Sequence, residues 1–119
     1  FAVTQKQMEN VARTIYNFMP PTPQYNWPLL SQRVGTEVWV KHENHTPTGA
    51  FKIRGGLVYV DYIGGKKNAS FEFIAATRGN HGQSVATAAS HKGFSSRIVV
   101  PEGNSKEKTV LWLHRERRF

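Results

Sequence analysis

Two short segments hold the residues whose types and spacing could support chemistry. The first is HTPTGAFKIRGG, residues 45–56, in which Lys52 stands between two large apolar side chains, Phe51 and Ile53. A lysine amine buried among apolar groups has a lowered pKa, and the neutral amine is a nucleophile that forms a Schiff base with a carbonyl. From composition alone, a lysine with a buried stem and a solvated amine is the more common arrangement.

The second segment is TRGNHG, residues 77–82, which follows a predicted strand and precedes a predicted helix. Unpaired N–H groups at the start of a helix attract anions. Gly79 and Gly82 would let the backbone approach a ligand closely, and Asn80 and His81 add hydrogen-bonding side chains. The segment therefore suits a carboxylate or a phosphate, although Gly-Asn is also a common turn dipeptide.

Periodicity and turn residues predict the elements that position these segments. A helix is predicted at TQKQMENVARTIYNFM, begun by a capping box of Thr4 with Gln7 and ended by PPTPQYNWP. A strand at TEVWVKHEN precedes a helix from Phe51 to about Ile63, which Gly64 and Gly65 close.

The second half of the chain predicts a βαβ unit. A buried strand FEFIAAT, a tight loop RGNHG, a helix QSVATAASHKG and a strand SRIVVPE follow one another with short connections. Such a unit has parallel strands and a right-handed crossover. In an open parallel sheet, ligands bind at the edge where strands lead into helices, which is where both segments are expected. The predicted architecture is α/β and incomplete.

Composition narrows the classes of function. The 119 residues include no cysteine, which excludes disulfides and thiolate metal sites and fits a reducing, cytoplasmic compartment. No apolar run reaches membrane-spanning length, and the start lacks both a signal peptide's apolar region and an initiator methionine, so we expect the sequence to begin inside a longer chain. The HENH run at residues 42–45 lacks the histidine spacing of a metalloprotease, and ordinary packing is favoured over metal binding.

The net charge of +8 leaves an alternative function open. A basic chain favours anionic partners, and Trp27, Trp39 and Trp112 could be core residues or platforms for stacked bases. A small nucleic-acid-binding module is therefore one hypothesis. Against it, the basic residues are spread along the chain and match no recognition motif.

Together the two segments are similar to one enzyme family. KHENHTPTGAFKIRGG followed by ATRGNHGQSVATAA resembles the amino-terminal part of the pyridoxal-phosphate enzymes of the tryptophan-synthase-β fold type (fold type II), and more narrowly threonine (serine) dehydratase. A weaker match is VPEGNSKEK, and the resemblance runs from about Met19 to about Lys108. The matching residues are Lys41, Glu43, Pro47, Thr48, Phe51, Lys52, Arg54 and Gly55, then Gly79, Asn80, His81, Gly82 and Gln83, and finally Pro101 and Lys108.

The resemblance implies roles for individual residues. Lys52 would be the catalytic residue, carrying pyridoxal 5′-phosphate as a Schiff base and removing the Cα proton of the substrate. Phe51 and Asn80 would bind the cofactor, Asn80 through the 3′ oxygen. The carboxylate of threonine or serine would be held by Thr77, Arg78, Gly79 and His81. The implied reaction eliminates water and yields a 2-oxo acid and ammonia, and the implied full-length parent is a homo-oligomer with no membrane or specific nucleic-acid partner.

Departures from the family pattern set further expectations. Arg78 stands where relatives that racemise use a serine as acid and base; arginine stays protonated, so elimination is expected rather than racemisation. Residues 1–119 would be an amino-terminal fragment of the catalytic domain, without the later glycine-rich phosphate loop and the residue facing the pyridine nitrogen, and residues 109–119 depart from the family. Alone, the fragment is expected to turn over little or nothing. A sibling enzyme of the same fold type and an inactive remnant stay open as alternatives.

Overall fold

A computed structural model describes residues 2–66 and 72–103 of the chain. Within these residues four α-helices and four β-strands alternate, with a 3₁₀ turn at Glu43–His45. The predictions about Lys108, Trp112 and residues 109–119 lie outside the described residues. In chain order the elements are α1 (Gln5–Tyr16), β1 (Gln24–Asn26), α2 (Pro28–Val34), β2 (Trp39–Lys41), α3 (Lys52–Gly64), β3 (Glu72–Ala76), α4 (Asn80–His91) and β4 (Ser95–Val99).

Helix α1 begins with the predicted capping box. The Gln7 N–H donates to Thr4 Oγ1 over 3.3 Å, and the Thr4 N–H donates to Gln7 Oε1 over 2.8 Å. These two bonds satisfy backbone donors that a helix start otherwise leaves unpaired. At the other end of the helix, Ile15 packs with Met19 into the core.

The predicted βαβ unit is confirmed in its elements and its strand direction. Strands β3 and β4 pair in parallel, with Phe73 opposite Ser96 and Ala75 opposite Ile98. The prediction of a buried strand holds for only one face of β3. Phe73 and Ala75 face α4 and are buried, whereas Ile74 on the other face is 66% exposed. Successive side chains of a strand point to opposite faces, and within the described residues helices cover one face of this sheet.

The core lies between α3, α4 and this covered face. Ile53, Leu57 and Val60 of α3 are 0–1% exposed and recur at helical spacing. They pack with Val85 and Ala88 of α4. The predicted helix from Phe51 to about Ile63 therefore exists within a residue of its expected bounds.

The first half of the chain differs from the prediction. The predicted strand TEVWVKHEN shortens to β2, which pairs antiparallel with β1. Strand β1 lies within the segment that we interpreted only as the end of α1. Helix α2, for which no prediction was made, begins with Pro28 in its first turn and ends at Gly35 with φ +74°. Proline at a helix start and glycine in the left-handed conformation just after the end are frequent boundary residues.

Candidate active site

The loop before Lys52 is closed by the side chain of Thr46. Its hydroxyl accepts a hydrogen bond from the Ala50 N–H and donates one to the Ala50 carbonyl, both at 2.9 Å. Gly49, with φ +69°, donates its N–H to the Thr46 carbonyl over 2.9 Å. Thr46 and Ala50 are both buried. These bonds tighten the chain into a turn that ends where α3 begins, at Lys52.

An ion pair joins this loop to the first turn of α3. Arg54 Nε lies 2.7 Å from Glu43 Oε2, and Arg54 Nη2 donates to Glu43 Oε1 over 3.0 Å. The Thr22 hydroxyl donates to the same carboxylate over 2.6 Å. The hydrogen bond from Arg54 holds the pKa of Glu43 below its ordinary value, and the carboxylate raises the pKa of Arg54. Glu43 of the HENH run therefore has a structural partner, and the described residues contain no group of three or more His, Asp or Glu able to bind a metal.

The second segment forms the junction between β3 and α4. The Thr77 N–H donates to the Val99 carbonyl over 2.9 Å, which extends the strand pairing. Thr77 Oγ1 accepts the Gly79 N–H over 3.3 Å. The predicted tight loop RGNHG is wrong at its end, because α4 already begins at Asn80. Asn80 and His81 therefore occupy the first turn of a helix, the position at which backbone N–H groups attract anions.

Helices α3 and α4 approach each other closely where Gly56 faces Ser84. A Cβ added to Gly56 would lie 2.2 Å from Ser84 Oγ and 3.0 Å from the Ser84 carbonyl oxygen. Ser84 is 1% exposed, and its hydroxyl donates to the Lys52 carbonyl over 2.6 Å. The close approach therefore places the start of α3, which carries Lys52, beside the start of α4, which follows the TRGNHG segment's first residues.

A cavity of about 780 Å³ opens between α3, β3 and α4. Its volume lies within the range of small-molecule sites, roughly 300–1,000 Å³. Three of the predicted site residues, Phe51, Lys52 and His81, line it; Thr77, Arg78, Gly79 and Asn80 lie outside its lining, in the turn that leads to His81. The other lining residues are Arg54, Gly55, Gly56, Tyr59, Ile63, Glu72, Phe73, Ile74, Ala75 and Val85.

The expectation that apolar neighbours shelter Lys52 is wrong for this chain. Lys52 is exposed, and Phe51 is 63% exposed. Of the three consecutive residues only Ile53 turns into the core, at 0% exposure. Successive residues at a helix start point in different directions, so neighbours in sequence do not surround one another. An accessible amine on a cavity wall nevertheless fits an aldehyde ligand.

Most of the chain matches one protein family. Residues 15–112 match the family model described as pyridoxal-phosphate dependent enzyme. The chain belongs to this family. The predicted resemblance and the α/β fold class are thereby confirmed, and the family's cofactor is pyridoxal 5′-phosphate. The family favours the enzyme interpretation over the nucleic-acid-binding module.

Individual relatives point in the same direction. The chain is 35% identical over 94 residues to the biosynthetic L-threonine dehydratase of Pasteurella multocida, covering 79% of this chain and 18% of that protein. It is 33% identical over 99 residues to the L-threonine ammonia-lyase of Thermotoga maritima, covering 83% and 24%. Among solved structures, a pyridoxal 5′-phosphate-dependent aspartate racemase superimposes with a TM-score of 0.84 at 26% identity, covering 96% of this chain and 36% of that one. The chain thus spans about a fifth to a third of these relatives' lengths.

Two contributors to the site went unrecognised in the sequence. Thr22 lies in the segment interpreted only as a helix end, and it is 7% exposed beside Glu43. Ser84 lies in a helix that contains several small and polar residues, and its sequence does not show which of their hydroxyls is buried. The doublet Gly55-Gly56 inside a predicted helix was a usable signal, because glycine in a helix interior is unfavourable unless another backbone approaches it closely.

Proposed function

We propose that this chain is the lysine-bearing portion of a pyridoxal-phosphate-dependent ammonia-lyase that acts on threonine or serine. The observation that supports it most is the shared cavity, whose wall contains Lys52 of one segment and His81 of the other. The names of the threonine dehydratase and ammonia-lyase relatives support the reaction type. When bound, the cofactor would supply an electron sink for the carbanion formed at Cα.

The proposed roles belong to two parts of the site, the start of α3 on the cavity wall and the turn that leads into α4, of which only His81 lines the cavity. In the first part, Lys52 would hold the cofactor through its ε-amine and then remove the Cα proton, while Phe51 would pack on the cofactor. In the second part, Asn80 would hydrogen-bond the cofactor's 3′ oxygen. Thr77, Arg78, Gly79 and His81, grouped at the start of α4, would bind the substrate carboxylate.

The overall reaction balances without a redox partner. The Cα–H and Cβ–O bonds break, the proton and the hydroxyl leave together as water, and the released enamine hydrolyses to a 2-oxo acid and ammonia. Threonine would give 2-oxobutanoate and serine would give pyruvate. The phosphate-binding loop would come from parts of the parent enzyme that this chain does not contain, and the parent would be a homo-oligomer. The chain alone is therefore expected to release little ammonia.

Arg78 argues for elimination over racemisation within the family. Racemisation needs a second group that donates a proton to the opposite face of Cα, and a guanidinium does not give up its proton at neutral pH. We expect Arg78 to bind the carboxylate instead. In a complete enzyme carrying this segment, L-serine converting to D-serine faster than in the R78A variant would contradict this role.

Trapping with borohydride tests the lysine assignment even when the cofactor binds weakly. The chain is incubated with pyridoxal phosphate, the C=N bond is reduced to a secondary amine, and labelled lysines are mapped by peptide mass spectrometry. Lys52 should be labelled in preference to Lys6, an exposed lysine of α1 that serves as the internal reference. The Schiff-base absorbance should fall in K52A and persist in K6A.

Two results would decide against the proposal. Equal labelling of Lys52 and Lys6 would show that the cavity does not direct the cofactor to Lys52. If the N80A variant is labelled at Lys52 as strongly as wild type, Asn80 does not bind the cofactor. Rapid ammonia release by the purified 119-residue chain would instead overturn the expectation that the chain needs the rest of its parent.

A further inference from the structure

The buried hydroxyl of Ser84 connects the two segments of the candidate site. Ser84 is 1% exposed in the second turn of α4, and its Oγ donates to the Lys52 carbonyl over 2.6 Å. The two residues are 32 positions apart in sequence, so the bond is a tertiary contact. None of the roles described so far uses this hydroxyl.

Gly56 permits the contact. With no side chain at this position, α4 approaches α3 so closely that a Cβ on Gly56 would lie 2.2 Å from Ser84 Oγ. Gly55, its neighbour in the same helix, has no atom within 4 Å of the corresponding position. The absence of a side chain therefore matters at one glycine of the doublet, the one opposite Ser84.

The contact joins functional ends of both helices. Lys52 is the first residue of α3, and Asn80 and His81 form the first turn of α4, one turn before Ser84. Residues three or four apart lie on the same side of a helix, so Ser84 is aligned with the turn proposed to bind cofactor and substrate. We infer that Ser84 is a positioning residue, which fixes Lys52 relative to Asn80 and His81.

The consequence for cofactor capture rests on the proposed function. If Ser84 sets the separation of the two helix starts, removing its hydroxyl lets the first turn of α3 shift while the core residues keep the helices together. The aldehyde held beside Asn80 would then meet the Lys52 amine less often. If the hydroxyl only satisfies a buried carbonyl, its loss lowers stability and leaves labelling unchanged.

The test compares S84A with S90A by the same borohydride trapping. Ser90 is a half-buried serine of the same helix, which makes S90A the matched control. We expect S84A to lower labelling of Lys52 roughly threefold to tenfold, the range for one lost hydrogen bond, with labelling of Lys6 unchanged. S84C, whose thiol is a weaker donor on a slightly larger side chain, should fall between wild type and S84A, and it replaces S84A if that variant does not fold.

A double-mutant cycle separates positioning from simple stabilisation. Because Ser84 is expected to act through the Lys52–Asn80 geometry, the S84A/N80A variant should label Lys52 no more weakly than the weaker of the single variants. Effects that multiply would mean that Ser84 acts independently of Asn80, and labelling of Lys52 within twofold of wild type in S84A would mean that it does not act at all. Either result overturns the inference.

A measurement without cofactor distinguishes this inference from the proposed function. In nuclear magnetic resonance spectra of the labelled chain, S84A should shift the amide signals of Asn80 and His81 and the carbonyl signal of Lys52, and S90A should not. Unmoved signals in S84A overturn the positioning role. If the signals shift in S84A but wild type labels Lys52 no better than Lys6, the two results have different consequences. The shifted signals support the positioning contact, and the unselective labelling overturns only the proposed function.

Discussion

Replacing Glu43 by glutamine measures how strongly its ion pair with Arg54 stabilises the lysine-bearing loop. Contacts of 2.7 and 3.0 Å join the two side chains, each of which is 21% exposed. Exposed ion pairs contribute about 0.2–1 kcal/mol, whereas removing one partner of a buried pair costs about 3–5 kcal/mol. The pair lies between these limits, and glutamine keeps an acceptor oxygen. We therefore expect E43Q to lower the free energy of unfolding by about 2 kcal/mol.

Urea unfolding followed by circular dichroism, at neutral pH, gives this free energy directly. The matched control is E72Q, the same substitution in a pair with Arg97 that spans 3.3 Å and leaves the arginine 69% exposed. Solvent screens such a pair, so its loss should cost less than about 0.5 kcal/mol. Equal losses in E43Q and E72Q would refute the reasoning that burial and two-point contact give the Glu43 pair its strength.

The pH dependence of the free energy of unfolding, compared between wild type and E43Q, tests the same ion pair a second time. Arg54 holds the pKa of Glu43 below its ordinary value in the folded chain. A carboxylate with a lowered folded-state pKa stabilises the fold above its unfolded pKa, about 4.3 for glutamate, and that stabilisation disappears as the pH falls through the folded-state value. The stability difference between wild type and E43Q should thus be full at pH 7 and shrink below about pH 4.3. A difference that stays constant down to pH 3 would contradict the assignment.

Two further substitutions test the packing around the site, each by urea unfolding. G56A should destabilise the chain by about 1–3 kcal/mol, because its Cβ would lie 2.2 Å from Ser84 Oγ. G55A, which has open space at its Cβ, should instead stabilise the chain by up to about 1 kcal/mol. A change of the same sign in both variants would contradict the close approach of the helices. T46A should cost about 1–3 kcal/mol and speed hydrogen exchange at the Ala50 amide, which loses its acceptor, and unchanged exchange would contradict that bond.

The sequence predicted those elements whose pattern repeats over several turns or is bounded by a specific residue. Ile53, Leu57 and Val60 recur with helical spacing and form the buried side of α3. Thr4 with Gln7 identified the start of α1, because a capping box uses two side chains at fixed positions. The parallel strands β3 and β4 followed from the helix between them, since a short strand–helix–strand path has few other arrangements.

The missed elements are short or depend on distant partners. Strand β1 has only three residues, too few to show alternation, and it pairs with β2, a predicted strand that is shorter than expected, at positions such as Tyr25 and Val40. The start of α4 was placed too late because Gly79-Asn80 is typical of turns, yet Asn80 already has helical neighbours. The sheltering of Lys52 was inferred from its neighbours in sequence, whereas exposure depends on which side of α3 each residue faces.

The start of α3 combines charged, apolar and glycine residues because these residues face different surroundings. Lys52 faces the cavity, Ile53 the core and Arg54 the carboxylate of Glu43, while Gly56 faces α4. Successive residues of a helix are rotated by about 100°, so Lys52, Ile53 and Arg54 point in three different directions, and Gly56, four residues after Lys52, returns to the side of Lys52, where α4 approaches. An amine, a branched apolar group, a guanidinium and a bare backbone are each suited to one of these surroundings. Each residue type at the start of α3 therefore suits its own surroundings. Lys52 stands next to apolar residues in the sequence because the rotation of the helix points its side chain away from theirs.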